Sequence, residues 1–349
     1  MATSIVGLDI GNGVIRAAEI SDPGKSKPTL IRYHSMSVAP GSVHRGEIID
    51  HGSVTAALKQ LWSTGGFKSK RVVLGVGNQR VLVRDVSVPK MPLMQIRESL
   101  PFQVQDLLPV PVADALLDFY PVSAGTTDVG EMINGLLIAA VKDPVLKNVE
   151  AVQAAGLDPV EVDLIPFALA RSLLEGANGA GTVALLHIGA VTTSLLVAVD
   201  GAPQFVRILQ YGGEDVTSAL IKKLGVTAEQ ADQIKRGLGL AIEGVAPEWR
   251  PAVETIAAST GDLLDSVRNT LSFYVNTHPD AAFERILISG GGAQLPGLGQ
   301  ALAEATRLPV GLPDPRGNMT VAKSVDQARM QSDAAGLAVA AGLALGNKS

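Results

Sequence analysis

Apolar positions along the chain fall into two patterns. Continuous apolar runs cut short by glycine read as buried strands, and apolar residues at helical spacing read as faces of helices. Residues 5–20 read as strand, tight turn, strand, with Asp9-Ile10-Gly11-Asn12-Gly13 at the turn. Gly-Asn-Gly predicts a hairpin whose central residues take a left-handed backbone. Residues 182–199 repeat the layout, so that Ile188-Gly189 falls where Ile10-Gly11 does. A third strand follows each hairpin, over 29–38 and 204–209, which predicts two antiparallel meanders. Two such units, one early and one past mid-chain, predict two related halves facing each other.

Between and after these units the periodicity changes. Val54, Ala57, Leu58, Leu61 and Trp62 share one face of a helix over 54–63, with a cap in Asp50-His51-Gly52-Ser53. Strands over 71–76 and 80–88, a helix over 95–107, a strand over 132–141 and a helix from Asp143-Pro144 to about 156 follow. The block from about 40 to 160 therefore reads as a strand-and-helix subdomain inserted into the first half. A strand to Val162 turns at Asp163 into another helix. Glu175 to Gly181 is the best linker, which sets the halves at 1–178 and 179–349. In the second half, Thr227-Ala228-Glu229-Gln230 is a capping-box pattern, and Ile256, Leu263, Leu264, Val267 and Leu271 face inward from a long helix over 254–276. Together these predict a helical subdomain over about 213–275. A helix over 299–305 and a strand over 308–312 precede a buried terminal helix over 334–345, rich in small apolar residues.

The turns carry the candidate chemistry. A glycine turn between strands is common, and its repetition is what makes this one informative. Bare amides at Gly11, Asn12 and Gly13 suit phosphate oxygens, with Asp9 facing a cation and Arg16 available for charge. Gly189, Ala190, Thr192 and Thr193 would close from the other half. A third glycine element, residues 285–298, runs from a buried strand into Gly290-Gly291-Gly292-Ala293, where a flat ring can lie on bare backbone. Gly212-Gly213 allows close backbone approach at the start of a helix, an end that favours anions.

Composition narrows the class. The chain has 349 residues, 46% apolar and 18% charged, which describes a folded protein large enough for two or three cores. A net charge of −5 gives no support for nucleic-acid binding, and Lys68-Ser69-Lys70-Arg71 is a small solvated basic cluster. The absence of cysteine excludes disulfides, thiolate metal sites and a cysteine nucleophile. No signal peptide is expected at the N-terminus, and no apolar run approaches the roughly 20 residues of a membrane span.

The three glycine elements, in this order, resemble the actin-like ATPase superfamily, and within it the PilM family of cytoplasmic type IV pilus assembly proteins, more distantly FtsA. Met91-Pro92, the run from Ile96 to Pro111 and the run from Gly156 to Arg171 carry the closer likeness. The resemblance implies an α/β actin-like ATPase fold, two mixed-sheet halves with an SHS2-like α+β insert, and ATP with Mg²⁺ between them, Asp9 on the metal. It implies a nucleotide-binding scaffold of the inner-membrane assembly platform that binds the N-terminal cytoplasmic peptide of PilN. That peptide would sit in a groove between insert and first half, with Leu100, Phe102 and Leu107 either lining it or packing as ordinary core. Pilus ATPases and self-association are further partners it leaves open. Membrane contact is expected only through partners, since the terminal amphipathic helix that FtsA-like proteins add is not expected here.

Two departures from the family pattern stand out. Asp232 is a shortened version of the usual Glu in the segment that ends at Lys235, both expected near the ribose; a solvated helix face explains Lys235 equally well. His187 stands where the second hairpin usually begins with Asp, so the metal site lacks an anion and hydrolysis is expected to be weak or absent. The alternatives are a small-molecule kinase, for which Asp163 is the tempting carboxylate, and an FtsA-like filament former.

Overall fold

Two hairpins of the same design anchor the two large sheets of the computed structural model, which describes residues 4–128, 130–240 and 244–346. In the first half, β1 (Ser4–Ile10) and β2 (Val14–Ser21) pair antiparallel, and β3 (Thr29–Ser37) extends the meander. A short ladder of β4 (Val43–His44) and β5 (Glu47–Ile48) leads to α1 (His51–Gly65). The Asp50 carboxylate accepts the Ser53 amide at 3.0 Å, the predicted cap. Strand β6 (Arg71–Val76) then returns parallel to β1.

Next come β7 (Val81–Pro89), α2 (Leu93–Gln103), β8 (Ala115–Thr127), β9 (Gly130–Val141) and α3 (Lys142–Ala154). The chain rejoins the first sheet through β10 (Asp158–Leu164), parallel to β6, and enters α4 (Ile165–Leu173). The second half runs β11 (Thr182–Ile188), β12 (Thr193–Val199), β13 (Ala202–Leu209), α5 (Gly213–Leu224), α6 (Ala228–Leu238), α7 (Arg250–Thr277), β14 (Phe283–Ser289), α8 (Leu298–Thr306) and β15 (Val310–Gly311). The last elements are β16 (Thr320–Val321), α9 (Gln327–Ser332) and α10 (Ala334–Gly346).

Strand order is β10-β6-β1-β2-β3-β16 in the first sheet and β13-β12-β11-β14-β15 in the second. In each, a three-strand meander is flanked beyond its first strand by parallel neighbours, so the halves share one plan. Between the sheets lie α4 and α10. One apolar cluster joins Ile5 and Val73 of the first sheet, Leu169 of α4, Leu337 of α10, and Leu185 and Leu196 of the second. The terminal helix is buried along its length, as its unbroken small apolar run predicts. Chain order and packing part company here: β16 pairs with β3, and α10 packs on β1, β2, β6 and α4, although both follow the second hairpin in sequence.

The inserted block of about 40–160 needs correction. A separate three-stranded sheet, β7-β9-β8, spans only Val81 to Val141. The apolar strand β6 belongs to the first large sheet, and α1 and α3 pack on that sheet's other face. Local pattern identifies such a strand but not its partner. The small sheet carries α2 on one face, around Ile96, Leu100, Phe119 and Leu137. Its other face meets Phe167 of α4 and Ile208 of β13.

Glycine makes the central packing possible. A Cβ at Gly342 would lie 1.9 Å from the Ala168 carbonyl oxygen, so backbone touches backbone between α10 and α4. At Gly261, inside α7, a Cβ would meet nothing within 4 Å. The same substitution therefore has opposite signs at the two sites. Gly342→Ala is expected to cost about 1–3 kcal/mol by overpacking. Gly261→Ala is expected to add about 0.5–1 kcal/mol through lower unfolded-chain entropy. Urea unfolding of both variants beside the parent checks this.

Candidate functional site

The two hairpins close in the same way. Ile10 pairs with Ile15 and Ile188 with Thr193, which leaves Gly11–Gly13 ahead of β2 and Gly189–Thr192 ahead of β12 in the loops. Gly11 N–H donates to Val14 C=O at 3.0 Å, and Gly189 N–H donates to Thr192 C=O at 2.9 Å. None of Gly11, Asn12 and Gly13 takes the left-handed backbone that the Gly-Asn-Gly pattern predicts. The loop is longer than the two-residue turn that demands that geometry, so the strain is absent. Among the described residues, the amides of Asn12, Gly13, Ala190 and Val191 have no hydrogen-bond partner.

Both tips and the third glycine loop border one cleft of about 800 Å³. Its walls include Asp9, Gly11, Asn12, Gly13 and Arg16 from the first hairpin, and His187, Gly189, Ala190 and Thr192 from the second. Gly212, Gly213, Asp232, Lys235 and Gly290 to Gly292 complete the predicted set. Two predicted residues do not reach it. Thr193 is fully buried, its hydroxyl donating to Tyr211 C=O at 2.8 Å. Ala293 is buried in the second-half core.

The glycines divide by role. Gly290 has φ +92, and a Cβ there would lie 2.2 Å from the Ile188 carbonyl oxygen, so it seats the third loop against the second hairpin. A Cβ at Gly291 would meet nothing, which leaves bare backbone toward open space. At the start of α5 the anion-binding expectation fails. Gly212 N–H donates to the Asp215 carboxylate at 2.7 Å, Gly213 N–H to Gly189 C=O at 2.9 Å and Glu214 N–H to Ala190 C=O at 2.8 Å. Those amides hold α5 against the second hairpin and are spent.

Arg16 is one of several cations on the cleft walls, with Arg45, Arg80, Lys235 and Arg236. It faces Asp9 across the β1–β2 ladder, with Nη1 3.7 Å from the carboxylate. Its Nε donates to both Asp333 oxygens, at 3.1 and 2.9 Å, and Tyr33 donates its hydroxyl to the same carboxylate at 2.7 Å. Burial pushes the Asp9 carboxyl above its ordinary range, with Arg16 opposing the shift. Burial and the adjoining Asp333 push the Tyr33 hydroxyl up as well. In the second hairpin the equivalent pair is His187 and Ser194. Burial, then the Arg16 charge, lowers the His187 imidazole to about 4, so it is neutral at pH 7. Its Nδ1 is buried and has no partner among the described residues.

Asp232 and Lys235 form a pair at 3.0 Å, and Lys235 Nζ also donates to Thr217 Oγ1 at 2.7 Å and Gly213 C=O at 3.1 Å. Sequence reasoning missed Glu214 and Asp333. Glu214 accepts from Asn12 Nδ2 at 2.7 and 2.9 Å, which ties the first hairpin to α5 across the cleft. An acid in the first turn of a helix was its only local signal. Asp333 meets Arg16 across 317 positions of chain, which no local pattern reveals.

The other predicted residues lie elsewhere. Asp163 does not line the cleft; it pairs with Arg171 and accepts the Leu164 amide at 2.7 Å. Leu100 is fully buried in the insert's own core, a correction to its place among groove residues. Phe102 is 85% exposed and Leu107 36%, with Met94 on the same helix at 73%. Among the described residues no group of three His, Cys, Asp or Glu could hold a metal ion, and no helix is long and apolar enough to cross a membrane.

The family model for type IV pilus assembly protein PilM matches residues 7–348. Cell division protein FtsA of Bacillus subtilis (strain 168) is 23% identical over 334 residues, covering 84% of this chain and 74% of FtsA. A solved PilM-PilN type IV pilus biogenesis complex aligns over 100% of both chains with a TM-score of 0.84 and 26% identity. Ethanolamine utilization protein EutJ from Carboxydothermus hydrogenoformans shares the fold at a TM-score of 0.58 and 15% identity, covering 99% of this chain and 90% of EutJ. The fold is the actin-like ATPase fold.

The buried neutral imidazole has a consequence for stability. Between about pH 6.5 and about pH 4 the unfolded chain binds a proton that folded His187 refuses. Its contribution is complete above that window and is lost as pH falls through it. His187→Gln is expected to flatten the fall in unfolding free energy over this range by up to ~1.4 kcal/mol per pH unit. Urea titrations at pH 7.5 and pH 5, in parent and variant, measure it.

Proposed function

The chain belongs to the family of type IV pilus assembly protein PilM, and from that membership we propose that it is a nucleotide-binding scaffold under a pilus assembly platform. It holds the N-terminal cytoplasmic peptide of PilN and meets the inner membrane through that partner. The observation that carries this reading is the full-length match to the PilM-PilN complex. A scaffold of this kind needs a surface for the tail. The α2 side of the insert exposes Met94 and Phe102 to solvent, apolar area whose burial favours association.

The cleft takes ATP between the two hairpins. Unpaired amides of Asn12 and Gly13 meet phosphate oxygens from one side, and those of Ala190 and Val191 from the other. Gly291 offers bare backbone to the base, and the Asp232–Lys235 pair stands at the same cleft. The nucleotide holds the halves together rather than driving turnover. Among the described residues, three carboxylates of the cleft are engaged, Glu214 by Asn12, Asp333 by Arg16 and Tyr33, and Asp232 by Lys235 and Arg236, while Asp9 lies 3.7 Å from Arg16. The kinase alternative relied on Asp163, which is spent on Arg171 away from the cleft.

Two measurements test this. A synthetic peptide of the PilN cytoplasmic tail is expected to bind the full chain, and Phe102→Asp to weaken it at least ~10-fold, the scale of a buried aromatic anchor. Leu312→Asp, at a 74% exposed site in the second half, is the control and leaves affinity unchanged. Equal loss in both variants, or no binding to the parent, rejects the assignment. Phosphate release from ATP is expected to stay well below ~1 per second, the low end for kinases. A faster rate removes the scaffold reading of the cleft.

A further inference from the structure

We propose that Arg45 grips the terminal phosphates of the bound nucleotide, from a turn that is neither of the two hairpin tips nor the third glycine loop. The proposal rests on the nucleotide reading above and adds a charged side chain to its backbone amides. Five cations stand on the cleft walls, and four of them are matched by a carboxylate. Arg16 pairs with Asp333 at 2.9 Å and Arg80 with Glu47 at 2.9 Å, while Lys235 and Arg236 share Asp232 at 3.0 and 2.7 Å. Arg45 has no ion pair among the described residues; its Nη1 donates to the neutral Gln79 side chain, at Oε1, over 3.1 Å. A polyphosphate brings several negative charges, and a guanidinium without a carboxylate partner has the most to offer them.

The turn that carries this side chain is strained. Strands β4 and β5 pair His44 with Glu47, so Arg45 and Gly46 alone make the bend. Both take the left-handed backbone, at φ +51 and +76. A two-residue hairpin of this kind favours Asn, Asp or Gly at its first position, and a long side chain there crowds the following carbonyl. The turn is nonetheless fixed. Arg45 N–H donates to Asn12 Oδ1 at 2.9 Å, which joins it to the tip where the Asn12 and Gly13 amides are open. Asn78 Nδ2 donates to Gly46 C=O at 3.4 Å, and a Cβ at Gly46 would lie 2.9 Å from the Asn78 Cβ. Backbone strain held in place by its surroundings gathers at ligand clamps. Asparagine would suit this backbone better; what arginine adds is reach and charge. The layout of the cleft says which phosphates it meets. Gly291, Asp232 and Lys235, on the base and ribose side, belong to the second half, and Arg45 stands on the first-half wall. A chain of phosphates leaving the second half runs toward it.

The test is calorimetric titration of ATP and of AMP into the full chain and into its Arg45→Asn variant. AMP keeps the base, the ribose and the first phosphate. The variant is expected to bind ATP at least ~10-fold more weakly, the scale of one charged hydrogen bond, and AMP within about threefold of the parent. Its urea midpoint is expected to rise, because asparagine accepts the left-handed backbone. Arg45→Lys keeps a cation on the turn and is expected to retain more ATP affinity than Arg45→Asn. ATP affinity unchanged in Arg45→Asn, or ATP and AMP weakened alike, overturns this inference and leaves the nucleotide reading standing. Weaker ATP binding with a lower urea midpoint is a folding effect and overturns it as well. No binding of either nucleotide to the parent overturns both.

Discussion

Backbone touching backbone, with no side chain between, is the constraint on which the molecule depends. Gly7 and Gly342 let α10 lie against β1 and α4, and a Cβ at either would sit 1.9 Å from a carbonyl oxygen. Because α4 and α10 fill the space between the two sheets, this approach sets how near the halves stand. The cleft uses the same device. Gly290 seats the third loop on Ile188, and a Cβ at Gly212 would be 2.3 Å from the Ala190 carbonyl oxygen. A single methyl at these points displaces main chain rather than a flexible side chain, and packed interiors transmit such shifts.

On this rigid frame the two hairpins are alike in backbone and unlike in charge. The ladder that pairs Asp9 with Arg16 pairs His187 with Ser194 in the second half. The first pair is connected onward through Asp333 to Tyr33 and the start of α10. The second ends in an imidazole with an unsatisfied nitrogen. An unpaired buried polar atom is costly, and an enzyme that used this position for chemistry would gain by giving it a carboxylate. Retaining a neutral ring there agrees with a site that clamps more than it cleaves.

What the sequence made legible was local. The Asp50 cap, the Thr227 capping box, both hairpins and the buried terminal helix each show within a few residues, because hydrogen bonds to near neighbours and burial of one run define them. Pairing over distance did not show. Strand β6 was grouped with the insert, although it pairs with β1. Strand β8 was missed, since its register against β9 shifts after Pro121 and half-exposed residues break its apolar pattern. In the cleft, Gly212-Gly213 reads as an anion seat until the partners of those amides are known. Thr193 and Ala293 sit beside true wall residues but are buried, Thr193 at the start of β12, where alternate residues change sides, and Ala293 in the short helical turn after Gly290.

The insert shows why such a frame suits a holding role. Its sheet turns one face to α2 and the other to Phe167 and Ile208, so it leans on both α4 and the edge strand β13 of the second half. The apolar side chains that its own core requires, Ile96, Leu100 and Phe119, are almost fully buried. Phe102 lies two residues from Leu100 on the opposite side of α2 and gains nothing from that core. An aromatic ring held in water on a well-packed helix is an unfavourable use of apolar area for folding alone. On the reading proposed above, the peptide covers this ring, and the insert's contact with both halves would put that association on the same framework as the cleft.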